Sequence, residues 1–329
     1  MVVRLYFILK GDNEHLARGE LTALLETLGV DIGVECYTMI CVTSHTHSDD
    51  IAALVMSRAG YLREAGILLG VFSAYSEKSA KEIAGLVGEK RVHVSVLKST
   101  VSESFVKAFL ETGGLKRGIN GVGEYKLVFS SGLVFLGVKK YTASFKPLEE
   151  RARSKPFKRS IELTPEIARV LINLSRARRS SVILDPFAGT GVVLIEAWSM
   201  GIRAVGVDID STIVRGMREN MVFFNANSLV VHGDSRTLVY REVDHVVTDL
   251  PYGRAASTHG VEIKSLYRDF VERLSEYLSR RGYAVFMTPH WLEDYVDEIV
   301  HAQGLRVVER YYDYVHSSLT RVINVVKWV

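Results

Sequence analysis

Four short runs in the second half of the chain place acids beside glycine or proline, where a ligand or a reacting group could sit. The first is Asp185-Pro186-Phe187-Ala188-Gly189-Thr190-Gly191. An acid leads into a tight glycine turn, and Gly189 and Gly191 let the backbone approach a ligand closely. A dinucleotide site would use a fuller glycine pattern to hold pyrophosphate. Here an acid stands in that place, which suits a cationic or amine-bearing ligand. Asp208, in Gly206-Val207-Asp208-Ile209-Asp210, lies 23 residues further on. A carboxylate about 20 residues beyond the glycine turn is placed to accept hydrogen bonds from ribose hydroxyls. Asp210 precedes Ser211 and a helical pattern, so it reads as a helix cap. The third run is Gly233-Asp234-Ser235, where Asp234 could receive an adenine amine. Three acids at successive strand ends would surround a nucleoside with a positively charged tail. Each run alone also fits an ordinary strand-to-helix turn.

The fourth run, Thr248-Asp249-Leu250-Pro251-Tyr252-Gly253-Arg254, is the candidate reaction site. An exocyclic amine on a base conjugates with its ring and is a poor nucleophile. The Asp249 carboxylate and the Leu250 carbonyl can accept its two hydrogens and draw the lone pair out of conjugation. Pro251 restricts Leu250 to an extended backbone. Tyr252 offers a ring on which a flipped base can stack. Asp249 can also take the proton released after transfer. The competing reading is a strand-ending turn with a surface tyrosine.

These residues need strand ends to stand on. The spacing predicts a helix opened by Thr164 and Pro165, then strand 181–185, helix 190–200, strand 204–209, helix 211–226, strands 229–232 and 245–250, helix 262–280, strand 283–288 and helix 291–302. A closing strand pair is expected at 306–315 and 321–328. Such alternation implies an α/β fold with a mostly parallel, seven-stranded sheet that binds ligand at its strands' C-terminal ends. The first half mixes shorter elements: strands near 3–9, 37–43, 67–72 and 91–97, helices near 13–28, 49–59, 76–87 and 102–112, and a hairpin in 126–140. His45, His47, Asp49 and Asp50 there read as a polar helix-capping loop, not a metal site.

The chain has 329 residues, 47% hydrophobic and 24% charged, a composition that fits two globular domains and excludes a disordered chain. Apolar stretches such as Gly66 to Phe72 fall well short of the roughly 18 residues of a membrane span. The start, Met-Val-Val-Arg, lacks the shape of a signal peptide, so a cytoplasmic location is expected. Cys36 and Cys41 are read as small buried strand residues that make no disulfide framework. The net charge of +3 is uneven. Residues 146–180 carry 10 Lys and Arg against 4 Glu, while 181–329 carry 15 Lys and Arg against 19 acids. All six prolines lie at or after position 147, which marks a boundary there. The basic stretch reads either as a solvated linker or as a contact for phosphates.

The runs DPFAGTG, GVDID, GDS and DLPYGR together resemble the amino-methylating class of S-adenosylmethionine-dependent methyltransferases. The usual tetrad there is Asp or Asn, Pro, Pro, Tyr, and this chain has Leu250 in place of the first proline. Lys155-Pro156-Phe157, Ala168-Arg169 and Asn173-Leu174-Ser175 narrow the resemblance, over about 150–290, to archaeal tRNA guanosine-10 N2-methyltransferases. That resemblance implies a Rossmann-like domain at 161–329, a basic linker at 146–160, a THUMP-like RNA-binding domain at 56–145 and a ferredoxin-like part at 1–55. It assigns Asp185, Phe187, Gly189, Thr190, Gly191, Asp208, Ile209, Asp234 and Ser235 to S-adenosylmethionine, and Asp249, Leu250, Pro251 and Tyr252 to the target base. It gives the cations Lys146, Arg151, Arg153, Lys155, Lys158, Arg159 and Arg254, with Phe157 among them, to RNA, whose binding would then depend on salt. One or two methyl groups on guanosine 10 of tRNA is the implied product. Some relatives work with a small zinc-containing activator protein, which the sequence does not mark. Transfer to an amine of another RNA, of DNA or of protein stays open, as does a non-catalytic RNA-binding protein that keeps the fold.

Overall fold

The computed structural model describes residues 3–30, 32–44, 46, 48, 50–99, 101–118, 124–253, 262–316 and 319–329. The chain divides into two compact units, Met1–Ser144 and Phe145–Val329. His45, His47, Asp49 and Arg254 lie outside the described residues. Among the described residues no acid, histidine and cysteine cluster could hold a metal, and no helix is long and apolar enough to cross a membrane.

The first unit runs β1 (Arg4–Leu9), α1 (Glu14–Thr27), β2 (Val34–Tyr37), β3 (Ile40–Thr43), α2 (Asp50–Arg58), β4 (Leu62–Ser73), α3 (Glu77–Val87), β5 (Arg91–Val96), α4 (Glu103–Gly113), β6 (Lys116–Arg117), β7 (Tyr125–Ser130) and β8 (Leu133–Thr142). These strands form one sheet in the order β2-β3-β1-β4-β8-β7-β5-β6. β4 pairs with both β1 and β8, so the sheet passes unbroken across the expected division near residue 55. Helices start where sequence chemistry places them: Asn13, Ser76 and Ser102 each accept a backbone N–H in the first turn of α1, α3 and α4.

Three local readings change. The strand expected at 37–43 is a hairpin, because Thr38 adopts a positive φ of 52° and turns the chain between β2 and β3. That turn sets Cys36 directly opposite Cys41, and the two are joined by a disulfide. The reading of two unlinked thiols is therefore corrected. β4 begins at Leu62, five residues before the apolar run. Its early charge, Glu64, is buried and hidden from an apolar pattern by its partners: Tyr6 Oη donates to it at 2.7 Å, and Lys126 pairs with it.

The second unit runs α5 (Lys146–Ser154), α6 (Pro165–Leu174), β9 (Val182–Asp185), α7 (Val192–Ser199), β10 (Arg203–Asp208), α8 (Ser211–Phe224), β11 (Leu229–His232), β12 (Val243–Asp249), α9 (Ile263–Tyr277), β13 (Leu278–Pro289), α10 (Glu293–Ala302), β14 (Leu305–His316) and β15 (Leu319–Trp328). The sheet order is β11-β10-β9-β12-β13-β15-β14. The first five strands are parallel, and β15 and β14 add antiparallel. The order reverses between β9 and β12, so a crevice opens at their C-terminal ends. Parallel strands buried on both faces require continuous apolar runs, and Val246, Val247, Ala284, Val285 and Phe286 are fully buried. α9 stops three residues short of the expected helix. At Gly282 the next strand passes so close to β12 that a Cβ would lie 2.1 Å from the Asp244 carbonyl.

The segment expected as a linker is largely structured. Lys146–Ser154 is helix α5, with Leu148 buried.

Candidate active site

The three strand ends converge on one cleft of about 270 Å³ in the second unit. Asp185 ends β9, Asp208 ends β10, Asp249 ends β12, and the 233–236 turn follows β11. All line the cleft.

The glycine turn is forced by space as well as by torsion. Gly191 has a φ of 84°, and a Cβ there would meet Met217 Cγ and Met221 Cε, each at 2.9 Å. Gly189 has a φ of 51° with nothing within 4 Å of the position its Cβ would take. Its N–H donates to Asp208 Oδ2 at 3.1 Å, and the Asp210 N–H donates to Oδ1 at 2.9 Å. Asp208 thus ties the first two turns together. Asp210 caps α8 through the N–H groups of Thr212 and Ile213, as its sequence context implies.

Asp185 is buried and accepts from Thr248 Oγ1 at 2.7 Å and from the Phe187 N–H at 3.2 Å. Its pKa is pushed up to about 7, chiefly by burial and in part by the charges of Asp249 and Asp208, against the hydrogen bonds from Thr248 and Phe187 that lower it. Asp249 is held at about 6, chiefly by burial, while Arg321 and the Tyr252 hydroxyl pull it down. Three carboxylates that repel each other around one cleft form a donor set suited to a cation with several hydrogen-bond donors. The residues present therefore fit a nucleoside with a sulfonium and an ammonium group. Phe187 packs edge-on to Phe270, with ring centroids 5.9 Å apart, and half-exposed Ile209 lies on the cleft's lining.

Asp234 meets a partner that the sequence does not announce. Arg236 wraps it, with Nη2 at 2.6 Å and Nε and the backbone N–H each at 3.0 Å from its carboxylate. Ser235 lines the cleft beside it. The Thr190 hydroxyl points into a buried network: it donates to Glu162 at 2.8 Å and accepts from Lys155 Nζ at 2.9 Å.

The reaction-site turn explains the departure at Leu250. Leu keeps a backbone N–H, which bonds the Met287 carbonyl at 3.4 Å, and its side chain is buried in the core with Leu266 and Phe270. A proline would lose that bond. Tyr267 Oη donates to the Pro251 carbonyl at 3.2 Å, which fixes the following turn. The Tyr252 hydroxyl bonds Asp249.

The basic segment divides. Arg151 makes a two-pronged bond to Glu196, both contacts at 2.8 Å. Lys155 is 3% exposed and bonds Glu162 at 2.7 Å. Phe157 packs on the α8 backbone at Gly216, where a Cβ would be 2.2 Å from its ring, and Asn220 clasps its N–H and carbonyl. Arg151, Lys155 and Phe157, expected to meet RNA, have partners inside the fold. Lys146, Arg153, Lys158 and Arg159 remain exposed, and Arg159 also lines the cleft. Sequence reasoning gave no role to Thr248, which opens the fourth run, and missed Glu162, Tyr267, Arg236 and Arg321, which lie outside the motifs or beside them without a spacing signal.

The chain is similar to several known proteins. The chain is 40% identical over 185 residues to the tRNA (guanine(10)-N2)-dimethyltransferase of Methanothermobacter thermautotrophicus, a match covering 55% of this chain and 54% of that one. It thus spans about half the length of that relative. To the enzyme of the same name from Pyrococcus abyssi it is 29% identical, over 83% of this chain and 86% of that one. The crystal structure of TrmN from Thermus thermophilus shares the fold, with a TM-score of 0.57 at 16% identity over 99% of this chain and 100% of that one. The family described as RMKL-like, methyltransferase domain, matches residues 152–323, more than half of the chain, and to that family this chain belongs.

Proposed function

We propose that this chain transfers methyl groups from S-adenosylmethionine to N2 of guanosine 10 in tRNA, in the cytoplasm. The observation that carries the reading is the placing of Asp249-Leu250-Pro251-Tyr252 at the open end of β12, in the cleft that Asp185 and Asp208 also line. The names of the relatives support tRNA and guanine 10 as substrate and site.

S-adenosylmethionine, when bound, supplies a methyl group activated by a sulfonium. The chain's own residues do the rest. Asp208 accepts the ribose hydroxyls, Asp234 and Arg236 border the adenine, and Asp185 faces the charged tail. Asp249 and the Leu250 carbonyl accept the two amine hydrogens and aim the nitrogen lone pair. Tyr252 supports the flipped base. Fixing both partners converts the encounter into an effectively unimolecular step, which supplies much of the acceleration. Residues 1–144 dock the tRNA, with a THUMP-like part after residue 55, and Lys146, Arg153, Lys158 and Arg159 add phosphate contacts.

Incubation with labelled S-adenosylmethionine and unmodified tRNA transcripts tests the reading. N2-methylated guanosine mapped to position 10 is the expected product. Bound cofactor with no label in any tRNA overturns it.

A second expectation concerns Asp208. Changing it to Asn keeps the shape but replaces one charged acceptor by a donor. A hydrogen bond to a charged group contributes about 1.5–3 kcal/mol, so S-adenosylmethionine binds roughly 10- to 100-fold more weakly. Calorimetric titration reads the change, and an unaltered Kd removes Asp208 from the ribose.

A further inference from the structure

A fifth stretch of chain lines the cleft, and none of the four acidic runs contains it. It is Arg159 to Leu163, just before α6. Glu162 in this stretch meets the glycine turn itself. Its Oε2 accepts from Thr190 Oγ1 at 2.8 Å and from Lys155 Nζ at 2.7 Å. Lys155 also donates to the Thr190 hydroxyl at 2.9 Å, and Asn220 Nδ2 donates to the Thr190 carbonyl at 2.9 Å. The lysine side chain is 3% exposed and the glutamate side chain 22%.

All of these bonds to Glu162 fall on one carboxylate oxygen. The Arg159 N–H reaches Oε2 as well, at 3.4 Å. Oε1 has no hydrogen-bond partner among the described residues, and Glu162 keeps part of its side chain open on the cleft's lining. A buried ion pair is often no more stabilising than well-packed apolar side chains of similar volume. What this pair does is fix the rotation of the carboxylate and leave its second oxygen to a ligand. The cleft also says which part of the ligand arrives there. The sulfonium sulfur of S-adenosylmethionine carries three arms. Asp208 ends β10 and Asp234 follows β11, so the adenosine arm lies on that side of β9. Asp249 ends β12 on the other side of β9, so the methyl arm points there. The third arm, the amino-acid tail, leaves over the turn that follows β9, where Thr190 and Glu162 meet.

We propose that Glu162 receives the ammonium of the amino-acid tail through Oε1, with Lys155 and Thr190 holding its carboxylate in place. The inference rests on the reading of this cleft as the cofactor site, with the ribose on Asp208. An ammonium carries three donors. Asp185 is 3% exposed, and one of its oxygens already takes Thr248 and Phe187. Glu162 adds a carboxylate oxygen from a separate stretch of chain, and its negative charge matches the arm that carries the positive one.

The test is binding, read by calorimetric titration of the full chain with S-adenosylhomocysteine and with its deamino analogue, which lacks the ammonium alone. The wild-type chain binds S-adenosylhomocysteine about 10- to 100-fold more tightly than the analogue, the range for a hydrogen bond to a charged group. Glu162→Gln keeps the shape and removes the charge. It weakens S-adenosylhomocysteine by about 10- to 100-fold and leaves the analogue unchanged, so the preference collapses. Lys155→Met combined with Glu162→Gln removes both charges of the buried pair, leaves no unpaired lysine and gives the same collapse. Melting curves establish that each variant is folded. Equal losses on both ligands, with the ratio unchanged, overturn the proposal and leave Glu162 a structural role. So does a wild-type ratio near one, which needs no variant at all. Failure of the wild-type chain to bind S-adenosylmethionine or S-adenosylhomocysteine overturns the reading of the cleft itself, and this inference with it.

Discussion

Asp249→Ala lowers single-turnover methyl transfer by about 10²- to 10⁴-fold, the range for losing a positioned proton acceptor. S-adenosylmethionine still binds, because the Ala keeps the turn. The Leu250 N–H stays on Met287 and the Tyr267 hydroxyl stays on Pro251. The loss belongs to the amine, which keeps one acceptor instead of two. Asp249→Asn separates acceptance from charge, since an amide oxygen accepts but does not titrate. The wild-type carboxyl has its pKa raised from 3.8 to about 6, chiefly by burial. Only the ionised form accepts both a hydrogen bond and, later, a proton. kcat/KM for the wild type therefore falls as pH drops through about 6 and is level above it, and that acid limb reports the free enzyme. The Asn variant is slower and loses the limb. An acid limb that persists in Asp249→Asn assigns it to another group, and Asp185, at about 7, is the next to test.

Glu196→Ala produces the largest expected change in stability. Glu196 is 1% exposed and takes three guanidinium contacts, two from Arg151 at 2.8 Å and one from Arg169 Nε at 2.7 Å. The arginines are themselves mostly covered, at 18% and 12%. Removing the carboxylate leaves two cations facing each other with little water to screen them. Breaking a buried pair by deleting one member costs about 3–5 kcal/mol. For a unit of this size that lowers Tm by roughly 6–20 °C. The three tryptophans, at 198, 291 and 328, all lie in the second unit, so their fluorescence follows its unfolding alone. A shift below 2 °C contradicts the account. Glu196→Gln, which keeps the shape and two polar atoms, loses less.

What the sequence discloses here follows from how local each signal is. The strand-end acids, the glycine turn and the Asp210 cap depend on neighbours within a few residues, and each takes its expected place. The parallel sheet is legible for the same reason, since its strands are continuous apolar runs. Charge is less legible because a count of cations does not say which are already paired. Arg151 and Lys155 look like RNA contacts in a basic stretch, yet Glu196, 45 positions away, and Glu162 consume them. Leu250 looks like a defect in a tetrad until the Met287 carbonyl gives its N–H a partner. The Cys36–Cys41 link follows from a turn at Thr38 that requires an unusual torsion at a non-glycine residue. Arg321 lies 72 residues beyond Asp249, on an antiparallel strand, and only the sheet order brings them together.

The central claim is that the exocyclic amine of guanosine 10 is the nucleophile. A tRNA transcript with inosine at that position differs from the natural one by that amine alone. Transfer from labelled S-adenosylmethionine, followed by nucleoside analysis, should give N2-methylated guanosine from the guanosine transcript and no label from the inosine transcript. Equal labelling of the two would contradict the account.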